Sequence, residues 1–97
     1  MPPKEDDSPQ EAMRRIERAK HSNTTSLNLI RLNLTTIPES VAQLVNLRKL
    51  DMRINKITII PDWLAQLSDL EELNVYGNHI TAIPDSLERL TKPPFRV

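Results

Sequence analysis

Apolar residues recur along this chain in fixed columns, and the pair Ile-Pro marks the register. Ile37-Pro38, Ile60-Pro61 and Ile83-Pro84 are separated by 23 residues each time. Aligned on these pairs, Leu27, Leu50 and Leu73 share one column, and Leu29, Met52 and Val75 share the next. Further columns hold Leu34, Ile57 and Ile80, then Val41, Leu64 and Leu87, then Leu44, Leu67 and Leu90. Thr24 breaks a column otherwise occupied by Leu47 and Leu70. Self-similarity at a fixed short period marks a stack of structural units, none of which can bury its apolar face alone.

Within each unit the pattern changes character. Leu50 and Met52, like Leu73 and Val75, alternate with polar neighbours at period two, which predicts half-buried strands over 26–30, 48–53 and 71–76. Asn55 and Asn78 follow their strands at the same offset, where an inward amide can donate to and accept from unpaired backbone groups. Leu32 replaces that Asn in the first unit, making it atypical, as terminal repeats tend to be. Past each Pro, apolar residues three apart give a short helix or 3₁₀ turn one inward face. Pro is tolerated at a first helical turn, where its missing N–H costs nothing.

Ahead of the repeats, Ser8-Pro9-Gln10-Glu11 reads as a capping box opening a helix over 9–22. Ala12, Met13, Ile16 and Ala19 fall on one face of it and would cover the open core of the first unit. The other end reads Lys92-Pro93-Pro94-Phe95-Arg96-Val97 where a fourth unit would start. Two prolines cannot donate to a ladder, so the sequence predicts an exposed sheet edge and a raw apolar end at 70–90, suited to self-association. The expected organisation is a disordered tail at 1–8, a capping helix at 9–22, repeats at about 23–46, 47–69 and 70–92, and a tail at 93–97.

Composition narrows the function. Lys and Arg number 13 against 13 Asp and Glu, so no net charge steers the chain to nucleic acid or an anionic membrane. There is no cysteine, hence no disulfide or thiolate chemistry, which weakly favours a reducing compartment. A charged, Pro-containing start without an apolar run does not read as a signal peptide, and no stretch is apolar enough to span a bilayer. The expected address is cytoplasmic.

Catalytic and cofactor chemistry find little support. Gly77 is the only glycine, which excludes a P-loop or dinucleotide fingerprint. His21 and His79 lie far apart in the register with no partner at metal-ligand spacing. Glu71 and Glu72 would point to opposite faces of a strand. No enzyme, cofactor or metal site is expected. Trp63 suits a partner contact, but also suits a ring lying across neighbouring turns.

The outward strand positions define the candidate partner surface: Ser26, Asn28 and Ile30, then Lys49, Asp51 and Arg53, then Glu72, Asn74 and Tyr76. With parallel strands about 4.8 Å apart, Lys49 would neighbour Glu72, Asp51 would lie between Asn28 and Asn74, and Arg53 could cover Tyr76. Small, mixed in charge and carrying one aromatic, this patch suits a protein partner better than nucleic acid.

The columns carry a family resemblance. Leu47, Leu50, Met52, Asn55 and Ile57, repeated as Leu70, Leu73, Val75, Asn78 and Ile80, fit the leucine-rich-repeat pattern. The Ile-Pro-x-x-apolar-x-x-Leu return resembles the intracellular Ras-group class, with Ile60-Pro61-Asp62-Trp63-Leu64 and Glu11-Ala12-Met13-Arg14-Arg15-Ile16 similar to bacterial Roco-type members. The resemblance spans residues 10–92. It implies an α/β solenoid with parallel strands on the concave face, short helices or 3₁₀ turns on the convex face and an N-terminal capping helix. It also implies protein binding on the concave sheet, with small GTPases among the partners. The expected function is a protein–protein interaction module in signalling. The alternative is a fragment of a larger GTPase-linked protein, or a truncated gene product.

Overall fold

A computed structural model describes residues 9–90, with the side chains of 88–90 excepted. Helix α1 (Pro9–Ser22) comes first, followed by strands β1 (Ser26–Asn28), β2 (Lys49–Asp51) and β3 (Glu72–Asn74). The strands form one parallel sheet in the order β1-β2-β3. Parallel neighbours need a crossover, and each crossover here is built around a 3₁₀ turn, Glu39–Gln43 and then Asp62–Gln66. A third 3₁₀ segment, Asp85–Leu90, is interrupted at Leu87.

α1 forms because its sequence suits both its ends and one of its faces. Glu11 lies in the first turn and Lys20 and His21 in the last, complementing the helix dipole. Ala12, Ile16 and Ala19 recur at helical spacing and are buried. The helix stops at Asn23, whose φ of 55° is a left-handed conformation that Asn tolerates. α1 packs on β1 and on the first 3₁₀ turn, and its apolar face belongs to the same core as the repeats. Met13, expected on that face, is instead 50% exposed, because the buried stripe runs along Ala12, Ile16 and Ala19. Ser8, the expected cap, lies outside the described residues.

The strands pair in the register the columns require: Ser26 with Lys49 and Glu72, Leu27 with Leu50 and Leu73, Asn28 with Asp51 and Asn74. They are shorter than the alternation predicts, but ladder-like bonds continue past their ends. Leu29 and Arg31 donate to the carbonyls of Asp51 and Arg53, and Met52 and Ile54 donate to those of Asn74 and Tyr76. Each 3₁₀ turn starts one residue after its proline. The carbonyls of Pro38, Pro61 and Pro84 accept the N–H groups of Val41, Leu64 and Leu87. Proline thus holds the extended residue that enters the turn, where it loses no donor the turn needs.

The core lies between the sheet and the 3₁₀ turns. Leu27, Leu50 and Leu73 fill it from the strands, Leu29, Met52 and Val75 from just past the strand ends, and Val41, Leu64 and Leu87 from the turns. Leu70, Leu73, Val75 and Leu87 are all buried, so the raw apolar end expected at 70–90 is not what these positions present. Of the apolar side chains described in this unit, Tyr76, Ala82 and Ile83 are exposed and Ile80 is partly buried. The two prolines and the tail expected at 93–97 lie outside the described residues, as does the tail at 1–8.

Candidate functional site: the outward sheet face

The outward positions of the strands form three rows running across the sheet. Ser26, Lys49 and Glu72 make the first, and Asn28, Asp51 and Asn74 the second. Ile30, Arg53 and Tyr76 follow at the strand ends, two residues further along each unit. Ser26, Asn28, Lys49, Arg53, Glu72 and Tyr76 are exposed; Ile30, Asp51 and Asn74 are half-buried.

The middle row has a structural task that the sequence reading missed. The side-chain oxygen of Asn28 accepts the N–H of Ile30 at 2.9 Å, that of Asp51 accepts from Arg53 at 3.2 Å, and that of Asn74 accepts from Tyr76 at 3.1 Å. The same local bond, two residues ahead, thus ends every strand. Asn, Asp and Asn recurring in one column was the signal that could have found it. These residues shape the site by fixing where Ile30, Arg53 and Tyr76 emerge.

Arg53 also departs from expectation. Its guanidinium is held by Asp51 of its own strand, Nε at 2.9 Å and Nη2 at 2.8 Å, rather than laid over Tyr76. This bidentate pair raises the pKa of Arg53, first through the side-chain hydrogen bond and then through the charge of Asp51. A carboxylate two residues away with matching fork geometry outcompetes a ring face on the next strand. Tyr76 is left 59% exposed. Lys49 and Glu72 are register neighbours as expected, yet the ion pair between these units forms one residue earlier, between Arg48 and Glu71. Arg48 lowers the pKa of Glu71 through that hydrogen bond and its charge.

Behind the face, two asparagines bind the units together. Asn55 is buried; its Nδ2 donates to the carbonyls of Leu29, Met52 and Arg53, and its Oδ1 accepts from Leu32 and Leu34. Asn78 repeats the arrangement one unit later, donating to Met52 and Val75 and accepting from Ile57. It is only half-buried, whereas the sequence predicts burial, because among the described residues Asn55 has a following unit packed on it and Asn78 does not. Each Asn reaches back to the unit before it. Leu32 has α1 rather than a strand on that side, so no ladder of backbone groups calls for an amide there.

α1 reaches the rim of the same face. Arg15 Nη1 donates to the carbonyl of Asn28 at 3.0 Å while its Nε holds Glu11 at 2.9 Å. Glu11 is also paired with Arg14, and its pKa is lowered, chiefly by the hydrogen bond from Arg15 and next by that from Arg14. On the opposite side of the sheet, Trp63 is half-buried against the core. Among the described residues no group of three His, Asp or Glu side chains could hold a metal ion, and no helix is long and apolar enough to cross a membrane.

The family model for leucine rich repeats matches residues 22–80, which covers all three strands and the first two turns. The chain belongs to the leucine-rich-repeat family. No curated protein matches it significantly. Leucine-rich repeats generally mediate protein–protein interaction and are typically non-enzymatic. On the sheet face of this repeat protein the exposed charged and aromatic side chains are Lys49, Arg53, Glu72 and Tyr76.

Proposed function

We propose that this chain is a non-enzymatic protein-binding module that receives its partner on the outward, concave face of the repeat sheet. The observation that supports this reading most is the register: parallel pairing aligns three rows of polar, charged and aromatic side chains on a backbone that cannot shift without unburying Leu27, Leu50 and Leu73. Rigid strands presenting exposed side chains bind without much ordering cost. In this reading the units form a short solenoid and α1 serves as its N-terminal cap, supported by the burial of Ala12, Ile16 and Ala19 against the first unit. A cytoplasmic signalling role of the Ras-group kind, with a small GTPase as partner, rests on the resemblance and on the absence of cysteine.

The test is affinity capture from the source cell with the intact chain as bait, repeated with Lys49→Ala/Tyr76→Ala. Both side chains are exposed, so the melting temperature should stay nearly unchanged while the captured partner is lost. A partner retained at full strength by a folded double variant would move the site off the sheet face.

A further inference from the structure

The balanced net charge conceals a strong internal separation. The stretches 29–37, 52–60 and 75–83 contain Arg31, Arg53, Lys56 and His79 and not one Asp or Glu. Every acidic residue of the repeats, from Glu39 to Glu88, lies in the other stretches, and 61–74 carries Asp62, Asp69, Glu71 and Glu72 with no Lys or Arg. Because the strands are parallel, all three acid-free stretches leave the sheet at the same edge. A pattern dispersed along the sequence therefore becomes a single cationic lip in space.

Two of these cations are uncommitted. Ion pairs among the described residues engage Arg14, Arg15, His21, Arg48 and Arg53, and none engages Arg31 or Lys56. Arg31 and Lys56 line one open depression together with Asn33, Ile54 and Asn55. Backbone bonds hold them there, Arg31 donating to Arg53 at 3.0 Å and Lys56 to Leu34 at 2.7 Å. Beside the charges, Ile54 is 46% and Tyr76 59% exposed. Ile54 presents its side chain from a left-handed backbone conformation, φ 58°.

We infer that this lip, at the C-terminal ends of β1–β3, is a second docking surface, and that its occupant is an acidic peptide segment of a protein partner bearing an aliphatic side chain. Carboxylates would meet Arg31 and Lys56, and the aliphatic group would meet Ile54 and Tyr76. A nucleic-acid strand fits less well, since the lip offers one aromatic and two free cations rather than a stripe. The inference rests on the protein-binding reading and shares Tyr76 with the sheet rows, but its charges, Arg31 and Lys56, lie outside them, so variants at those two and at Lys49 and Glu72 let the two readings fail separately.

The test is an NMR titration of the full chain with a short Glu-rich peptide carrying Leu, beside its Gln-for-Glu counterpart and a thymidine oligonucleotide. The Glu peptide should shift the amides of Arg31, Ile54, Lys56 and Tyr76, and its binding should weaken as salt rises. Arg31→Glu/Lys56→Glu should weaken it by roughly tenfold, as charge reversal at a complementary surface does. Arg31→Gln/Lys56→Gln, which is less prone to perturb the fold, should give a smaller loss in the same direction, whereas Lys49→Ala/Glu72→Ala should leave the peptide bound. Equal binding of the Gln counterpart, tighter binding of the oligonucleotide, or shifts confined to the row of Ser26, Lys49 and Glu72 would each overturn the inference.

Discussion

The side-chain oxygen of Asn55 accepts the backbone N–H of Leu32 at 3.0 Å, tying the turn of the second unit to that of the first. The same oxygen takes the N–H of Leu34, and the amide nitrogen holds three carbonyls. Asn55→Leu would fill the space but leave these buried groups without partners, at roughly 1–3 kcal/mol for a group so orphaned. Asn78→Leu should cost less, since that side is half-buried and water can substitute. Gln43→Leu, at an exposed site, should change little. Thermal melts should rank the three in that order; equal shifts at Asn55 and Gln43 would contradict the ladder.

Leu50 and Leu73 are 1% and 3% exposed and face one another across adjacent strands. Truncating either to Ala removes apolar contact and leaves a cavity, a loss of roughly 2–5 kcal/mol. In a domain this small that is a large part of the total stability. Denaturant unfolding should show a lower midpoint for both variants. A midpoint unchanged at Leu50→Ala would be incompatible with a core running through the middle strand.

Ile54 occupies a left-handed conformation that a β-branched residue adopts only at a cost. The aligned positions, Arg31 at φ 54° and Gly77 at φ 80°, share it, so the turn geometry imposes the conformation and the side chain merely submits. Ile54→Asn should raise the melting temperature, by roughly 1 kcal/mol of relieved strain. Gly77→Ala should lower it, because the added Cβ would lie 3.3 Å from the backbone nitrogen of Ile54. Opposite signs at two aligned positions make this a sharp calorimetric test.

Acid should loosen the attachment of α1. Arg15 and Arg14 hold the carboxyl of Glu11 below its ordinary value of 4.5. A carboxyl with a depressed folded pKa adds stability that is complete above its unfolded pKa and is lost as pH falls through the folded one. The stability curve should therefore decline below about pH 4.5, and Glu11→Gln should flatten that decline. The pair is partly exposed, so high salt should mute the difference. Identical acid limbs for the parent and Glu11→Gln would exclude this linkage.

The sequence by itself determined the repeat, its register and the direction of the strands. A period of 23 residues copies every apolar choice from one unit to the next, and only parallel stacking places Leu27, Leu50 and Leu73 side by side. It also determined which residues face outward, since strand alternation is a local property. What tertiary structure alone decided concerns polar groups that choose among partners close in space. Arg53 took Asp51 rather than Tyr76, Arg48 paired with Glu71 beside the neighbours Lys49 and Glu72, and Asn28, Asp51 and Asn74 each accepted the N–H two residues ahead to end their strands. Met13 lies off the stripe of Ala12, Ile16 and Ala19 that α1 buries against the first unit. Burial of an apolar side chain is non-directional and follows a periodic pattern, whereas a hydrogen bond depends on distances and angles that exist once the units have stacked.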